Sequence, residues 1–291
     1  MSSSSLCVGL TALLLASAAS SPVAGAGHRE PRLSGFASGG RPRIAAAHID
    51  PAPGARAAPA YEIVAEYPHD PGAYTQGLFW HDGHLYEGTG RYGTSWLRRV
   101  DPGTGDVLQE VALAANLFGE GVALHGNRIF QLTWLSKRGF IYDAATFERV
   151  GEFRYETEGW GLTSDGDHLI LSDGSDTLFF LDPADQHVVR TLAVRHDGAP
   201  LGDLNELEHI DGLIYANVWH SDFIYRIDPE SGAVVDRIDL SDLAAGERPR
   251  DTEGVLNGIA HDPNTGHLFV TGKLWSKVFE VRLTIDEVRV P

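Results

Sequence analysis

Polar and aromatic side chains recur in this 291-residue sequence at fixed distances from five short apolar pairs. The pairs are Leu85-Tyr86, Ile129-Phe130, Leu169-Ile170, Ile214-Tyr215 and Leu268-Phe269. The residues nine positions before each pair are Gln76, Glu120, Trp160 and Asn205, with Asn257 in the fifth case after a two-residue insertion. The residues five positions after the first member of each pair are Gly90, Trp134, Gly174, Trp219 and Lys273. A carboxylate, three amides, an amine and three indoles at two shared levels of a repeat predict a small polar pocket with aromatic walls.

Each of these residues also has an ordinary structural explanation. A polar side chain on an inner strand often binds a buried water molecule, and a tryptophan usually serves packing. Repetition at the same two offsets favours the pocket over a set of unrelated structural residues.

The repeat that positions these residues contains four short β-rich runs. The apolar pairs lie 44, 40, 45 and 54 residues apart. In each repeat one run precedes the pair, one contains it, and further β-rich runs follow it. Four short strands in about 40 to 45 residues are typical of a propeller blade. The sequence therefore predicts an all-β, five-bladed β-propeller with four strands per blade.

The two ends of the predicted propeller complement each other. The fifth repeat lacks a clear last run, whereas residues 61–67 form a β-rich run before the first repeat. We expect this N-terminal strand to complete the last blade and close the ring, because closure removes open strand edges. The first strand of each repeat would then line the central channel and present Gln76 and Glu120 there.

The region before residue 61 differs from the repeats in composition. An apolar run at 6–19, followed by small residues, predicts a signal peptide over 1–26, and therefore a secreted or periplasmic protein. Residues 27–60, rich in Gly, Pro, Ala and Arg, predict a flexible basic linker, which leaves 61–291 as the propeller domain. The single cysteine, Cys7, lies in the predicted leader. The formal net charge of −17 disfavours nucleic acid and anionic membranes as partners.

Three shorter motifs have simpler explanations than ligand binding. The run GTGRYG at 88–93 has the dinucleotide-binding spacing but no helix behind it. His81 and His84 flank an Asp-Gly hairpin turn, which favours a solvated turn over a zinc site. The Asp-rich runs at 165–167 and 173–176 lack the terminal Glu of a calcium loop and fit turn chemistry.

Seven motifs in order resemble the plant and bacterial glutaminyl-peptide cyclotransferases. They are YPHDPGAYTQGL at 67–78, FGEG at 118–121, LTW at 132–134, GWGL at 159–162, LNEL at 204–207, NVW at 217–219 and TGK at 271–273. The resemblance covers about residues 61–290 and implies a five-bladed propeller that converts N-terminal glutamine into pyroglutamate and releases ammonia. It implies these functional residues: Gln76, Phe118, Glu120, Trp134, Trp160, Asn205, Trp219 and Lys273. One departure is Tyr74, where the family more often has Phe.

The resemblance also implies a role for each type of side chain. Glu120 would be the catalytic acid and base, taking a proton from the α-amine and returning it to the departing NH2 group. An indole N–H, an Asn or Gln amide, or the Lys273 ammonium would stabilise the tetrahedral oxyanion. The three indoles would enclose the glutamine side chain and exclude water. We expect a monomer that acts on peptides or proteins with N-terminal Gln and requires no metal or other cofactor for catalysis, although the resemblance allows a structural cation in the channel.

Two other functions are compatible with a propeller of this kind. One is a non-catalytic module that binds peptide N-termini or small ligands in its channel, since fold alone does not fix function. The other is a lactonase-type hydrolase with a metal held by carboxylates and Asn. Glu120 and Asn205 alone do not make that ligand set.

Overall fold

The computed structural model describes residues 60–249 and 251–284, which form 22 strands and one helix. The predicted leader, the predicted linker apart from Ala60, and residues 285–291 of the predicted propeller domain lie outside the described residues. Twenty of these strands form five four-stranded sheets with antiparallel pairing. The all-β fold with five blades of four strands is therefore confirmed.

The strands are numbered along the chain, beginning with β1 (Tyr61–Pro68). Blade 1 contains β2 (Thr75–His81), β3 (His84–Thr89), β4 (Trp96–Val100) and β5 (Val107–Ala112). Blade 2 contains β6 (Gly119–His125), β7 (Arg128–Thr133), β8 (Arg138–Asp143) and β9 (Arg149–Arg154). Blade 3 contains β10 (Leu162–Ser164), β11 (Leu169–Ser172), β12 (Thr177–Leu181) and β13 (Val188–Ala193).

A two-stranded hairpin, β14 (Arg195–His196) and β15 (Ala199–Pro200), follows blade 3. Blade 4 contains β16 (Leu204–Ile210), β17 (Leu213–Val218), β18 (Phe223–Ile227) and β19 (Val234–Asp239). The helix α1 (Ser241–Glu247) precedes blade 5, which contains β20 (Leu256–Asp262), β21 (His267–Gly272), β22 (Lys277–Leu283) and β1. No helix in the described part of the chain is long and apolar enough to cross a membrane.

The first strands of the five blades form a closed ring. Strand β2 contacts β6 and β20, β6 contacts β10, β10 contacts β16, and β16 contacts β20. The five apolar pairs of the sequence lie on the next strand of each blade and are buried without exception. The outer strands β5, β9, β13 and β19 are mostly exposed. Burial therefore decreases from the inner strands to the outer strands.

Glycines let the inner strands approach the next blade closely. A Cβ atom on Gly77, which follows Gln76, would lie 2.5 Å from the backbone nitrogen of Val122 on β6. A Cβ atom on Gly121, which follows Glu120, would lie 2.5 Å from the backbone nitrogen of Leu162 on β10. Real Cβ atoms do not occupy such positions, so any larger residue would push neighbouring blades apart.

Strand β1 is the outermost strand of the sheet that begins with β20. It pairs antiparallel with β22, from Tyr61 opposite Leu283 to Pro68 opposite Lys277. The Tyr67 hydroxyl donates a hydrogen bond of 2.7 Å to Glu280 on β22. The first and last described strands are therefore partners in one blade.

Candidate active site

A buried chain of side-chain hydrogen bonds joins the inner strands of blades 5, 1 and 2. Asn257 on β20 donates from Nδ2 to the Gln76 Oε1 atom at 3.3 Å and to the Thr75 carbonyl at 2.9 Å. Gln76 on β2 donates from Nε2 to the Glu120 Oε1 atom at 3.0 Å. Gln76 and Glu120 are each 4% exposed, and Asn257 is fully buried. The amide of Gln76 thus orients the carboxyl group of Glu120.

Lys273 supplies a buried amine next to this chain. It follows β21, is 4% exposed, and its Nζ atom lies 5.0 Å from the centroid of the Tyr74 ring. Burial lowers the pKa of Lys273, and the carboxylates of Glu120 and Glu253 oppose that shift.

Glu120 has the opposite perturbation. Burial raises the pKa of Glu120 well above its ordinary value, Lys273 opposes the rise, and Glu158 adds to it. The proton affinities of this carboxyl group and of the Lys273 amine therefore move towards each other. A buried carboxyl group with a raised pKa is a candidate for general acid and base catalysis.

Half-buried aromatic rings surround these polar groups. Phe118 contacts Trp134 edge to face, with ring centroids 5.6 Å apart. Trp160 contacts Trp219 in the same manner at 5.9 Å, and Tyr74 contacts Phe118 at 6.1 Å. These aromatic rings come from segments that flank the strands of four successive blades, blades 1 to 4.

Two glycines at the level of Trp134 make room for these rings. A Cβ atom on Gly90 would lie 2.8 Å from Cζ of Phe118 and 3.1 Å from Cγ of Gln76. A Cβ atom on Gly174 would lie between 2.7 and 2.9 Å from three ring atoms of Trp160. The repeat thus places a glycine where the ring of a neighbouring segment must pack.

The indole N–H groups are bound to carboxylates. Trp134 and Trp160 both donate to Oε2 of Glu158, at 2.7 and 3.1 Å. Trp219 donates to Oε2 of Glu253 at 3.2 Å. These hydrogen bonds occupy the three indole N–H groups, which favours the Lys273 ammonium among the oxyanion donors named from the sequence.

Asn205 lies on β16 at the predicted level and is 2% exposed. Its backbone carbonyl oxygen accepts a hydrogen bond of 2.7 Å from the Ser172 hydroxyl. Within the described residues, its side chain makes no hydrogen bond to Gln76, Glu120 or Lys273.

Sequence reasoning missed the two carboxyl groups that bind the indoles. Glu158 and Glu253 lie in loops outside the two repeated levels, so the repeat gave no signal for them. Glu206 does stand out in the sequence, because it replaces the glycine that follows Gln76, Glu120 and Trp160. It is fully buried and accepts hydrogen bonds from the backbone nitrogens of Leu78 and Ile259, at 3.2 and 2.9 Å, which tie blade 4 to blades 1 and 5.

One group of metal-ligand type occurs among the described residues. Asp182, Asp185 and His187 lie at the turn between β12 and β13, with ligand atoms within 4.8 Å of one another. Asp185 and His187 are exposed, and Asp182 and Asp185 accept hydrogen bonds from nitrogens of their own turn. This arrangement fits the ordinary chemistry of an Asp-rich turn.

Comparisons with known proteins identify the family and the fold of the chain. A family model described as glutamine cyclotransferase matches residues 43–283. The glutaminyl-peptide cyclotransferase of Arabidopsis thaliana is 45% identical over 226 residues, which cover 76% of this chain and 71% of the plant protein. The crystal structure of Myxococcus xanthus glutaminyl cyclase superposes with a TM-score of 0.73 at 40% identity, covering 78% of this chain and 97% of the bacterial one.

Proposed function

The chain belongs to the glutamine cyclotransferase family, and we propose from this premise that it converts N-terminal glutamine of peptides and proteins into pyroglutamate with release of ammonia. The resemblance stated from the seven motifs is thereby confirmed at the level of the family. The observation that carries the activity is the buried Glu120 carboxyl group, oriented by Gln76 and placed near the Lys273 amine under aromatic walls.

The reaction requires one proton to move between two nitrogen atoms. The α-ammonium of the substrate must lose a proton before its nitrogen can attack the side-chain amide carbon. Once that proton has passed to solvent, the neutral amine attacks, the new C–N bond forms, and Glu120 accepts a second proton from the attacking nitrogen of the tetrahedral intermediate. When the bond to the amide nitrogen breaks, Glu120 returns the proton and ammonia leaves. One carboxyl group therefore serves both half-reactions.

The environment of Glu120 suits this exchange. A free α-amino group has a pKa of about 7.7 to 8.0, far above that of an ordinary glutamate. Burial raises the pKa of Glu120, which brings its proton affinity closer to that of the amine. Proton transfer from the amine to Glu120 then requires less free energy than transfer to a solvated carboxylate would.

Lys273 is the group best placed to stabilise the oxyanion of the intermediate. It is buried, and a hydrogen-bond donor in a dry site stabilises developing charge more than it would in water. The rings of Phe118, Trp134, Trp160 and Trp219 would enclose the short glutamine side chain and exclude water that would hydrolyse it. Asn205 completes the proposed set of substrate-binding residues.

Tyr74 adds a hydroxyl group to this pocket. Burial raises the pKa of Tyr74, and neighbouring Glu253 adds to the rise while Arg91 opposes it. The phenol therefore keeps its proton and can donate a hydrogen bond but cannot act as a base. The guanidinium carbon of Arg91 lies 4.6 Å from the ring centroid, which further fixes the ring.

The direct test is ammonia release from a Gln-initiated dipeptide by the purified protein. We expect one ammonia per pyroglutamate formed, and no reaction with an N-acetylated dipeptide, whose amide nitrogen is not a nucleophile. Folded protein that binds the dipeptide without releasing ammonia would instead identify a binding module.

We extend the proposal to the rest of the molecule. Strand β1 closes the ring of blades, residues 1–26 direct export, and residues 27–60 form a linker to a monomeric domain at 61–291. The protein acts in the periplasm or outside the cell as an aminoacyltransferase and needs no cofactor for catalysis. A cation in the channel, if bound, would be structural.

A further inference from the structure

One carboxylate oxygen binds two of the tryptophans that line the site. Glu158 lies in the loop between β9 and β10, and its Oε2 atom accepts hydrogen bonds from the indoles of both Trp134 and Trp160. Trp134 immediately follows β7 of blade 2, whereas Trp160 leads into β10 of blade 3. Two rings on different blades therefore have their orientations fixed by a single side chain.

A second tryptophan and carboxylate pair, next to Trp160, repeats this arrangement. Glu253 lies in the segment that leads into β20, and it accepts a hydrogen bond from the indole of Trp219, which immediately follows β17. In both cases a carboxylate before the inner strand of one blade holds the tryptophan after the second strand of the preceding blade. Glu158 and Glu253 thus fix tryptophans in the same way at two places in the ring, although the loops that carry them differ in sequence.

Glu158 also contributes charge at the site. The charged groups that act on Glu120 are Lys273 and Glu158, and Glu120 in turn acts on the neighbouring Tyr74 and Tyr155. Burial is the main cause that raises the pKa of Glu120, Lys273 opposes the rise, and Glu158 adds to it. Both tyrosines have raised pKa values for which burial is the main cause, and they stay neutral at ordinary pH.

We propose that Glu158 is a positioning residue for the cyclisation: its carboxylate holds the indoles of Trp134 and Trp160 in place and puts a negative charge beside Glu120. The charge favours the protonated form of Glu120, which is the form that delivers a proton to the leaving group. This inference rests on the proposed function for its kinetic consequence, whereas its structural consequence needs no substrate.

The structural consequence is tested by the indole N–H resonances of the six tryptophans in protein labelled with 15N-tryptophan, assigned by Trp→Phe substitutions. We expect Glu158→Ala to shift the resonances of Trp134 and Trp160 more than that of Trp219, which keeps its own acceptor Glu253 and feels only the displaced ring of Trp160. Glu253→Ala should do the reverse. Glu158→Gln retains an acceptor oxygen and should produce smaller shifts. Unchanged resonances of Trp134 and Trp160 in Glu158→Ala would overturn the proposal.

The kinetic consequence is tested by the pH dependence of kcat/KM, which reports ionisations of the free enzyme. Glu158→Gln removes the charge, so the limb assigned to Glu120 should move to lower pH by about half a unit or more. Glu158→Ala also frees the two rings, and kcat/KM should fall at least about tenfold, because small displacements of positioning groups are costly.

Glu156→Gln is the matched control for both experiments. Glu156 is an exposed carboxylate in the same loop, two residues before Glu158, so the substitution makes the same charge change away from the indoles. Its spectrum and pH profile should superimpose on those of the wild type. A Glu158→Gln profile that also superimposes would refute the electrostatic part of the proposal.

Failure of the wild type to release ammonia would count against the proposed function, and the resonance shifts would still decide the role of Glu158.

Discussion

Gly174 provides a quantitative test of how the aromatic wall is built. Its φ of 80° lies in the left-handed region, and a Cβ atom there would sit 2.7 to 2.9 Å from ring atoms of Trp160. Gly166, in the same blade, has a φ of 94° and nothing within 4 Å of the position of a Cβ atom. The pair Gly174→Ala and Gly166→Ala therefore separates the cost of the ring clash from the cost of the backbone conformation.

The expected magnitudes follow from these two terms. An alanine in the left-handed region costs about 1 to 2 kcal/mol, and both variants incur this cost. Overpacking against a ring adds about 1 to 3 kcal/mol in Gly174→Ala alone. We therefore expect Gly174→Ala to lose about 2 to 5 kcal/mol of unfolding free energy, and Gly166→Ala about 1 to 2 kcal/mol.

Denaturant unfolding measures the stability of both variants, and steady-state ammonia release measures their kcat/KM. A displaced Trp160 should lower kcat/KM at least about tenfold in Gly174→Ala, while Gly166→Ala should remain within about twofold of the wild type. If Gly174→Ala matched Gly166→Ala in both stability and kcat/KM, the reasoning about the wall would be refuted.

Three further outcomes are expected. Deletion of residues through Ala60 should leave the melting temperature nearly unchanged. Deletion through Tyr67 removes the partner of β22 and should cause insolubility or a large loss of stability. Equal stability of the two truncated proteins would contradict ring closure by β1. Dialysis against a chelator should preserve turnover. If dialysis abolished turnover without changing the circular dichroism spectrum, and zinc restored turnover, proton transfer by Glu120 would be contradicted. Burial would lower the pKa of His69, but the neighbouring Glu87 carboxylate outweighs burial and raises this pKa above 6.5. The stability that the protonated His69 contributes is therefore fully present below pH 6.5. It is lost as the pH rises through the pKa of His69 in the folded state. The difference in unfolding free energy between the wild type and His69→Gln should therefore shrink as the pH rises above 6.5, and a constant difference would contradict this pairing.

The repeat in the sequence predicted the blades because its signals are local. Apolar pairs, glycines and Asp-containing turns mark strands and hairpins within a few residues, and their recurrence fixes the number of blades. The same local signals placed Gln76 and Glu120 on inner strands. The hairpin β14–β15 and the helix α1 lie in the longer spacings of 45 and 54 residues, where the repeat pattern offers no guide.

The partners of the site residues could not be predicted in the same way. Whether the indole of Trp134 is free or bound depends on Glu158, which lies 24 residues away in a loop of another blade. The glycine at position 174 was evident in the repeat, but its purpose depends on the ring of Trp160 that packs against it. Such contacts between blades follow from the assembled ring and leave no periodic trace in the sequence.

The most direct measurement is the kcat of Glu120→Gln for ammonia release from a Gln-initiated dipeptide. The substitution keeps an oxygen that can accept the hydrogen bond from Gln76, but it removes the ability to take and return a proton. Because acid-base groups contribute roughly 10²- to 10⁴-fold, we expect kcat to fall at least about a hundredfold while KM changes far less. A variant that kept more than about a tenth of the wild-type kcat, equivalent to less than ~1.4 kcal/mol of transition-state stabilisation, would contradict the assignment of Glu120 as the proton shuttle.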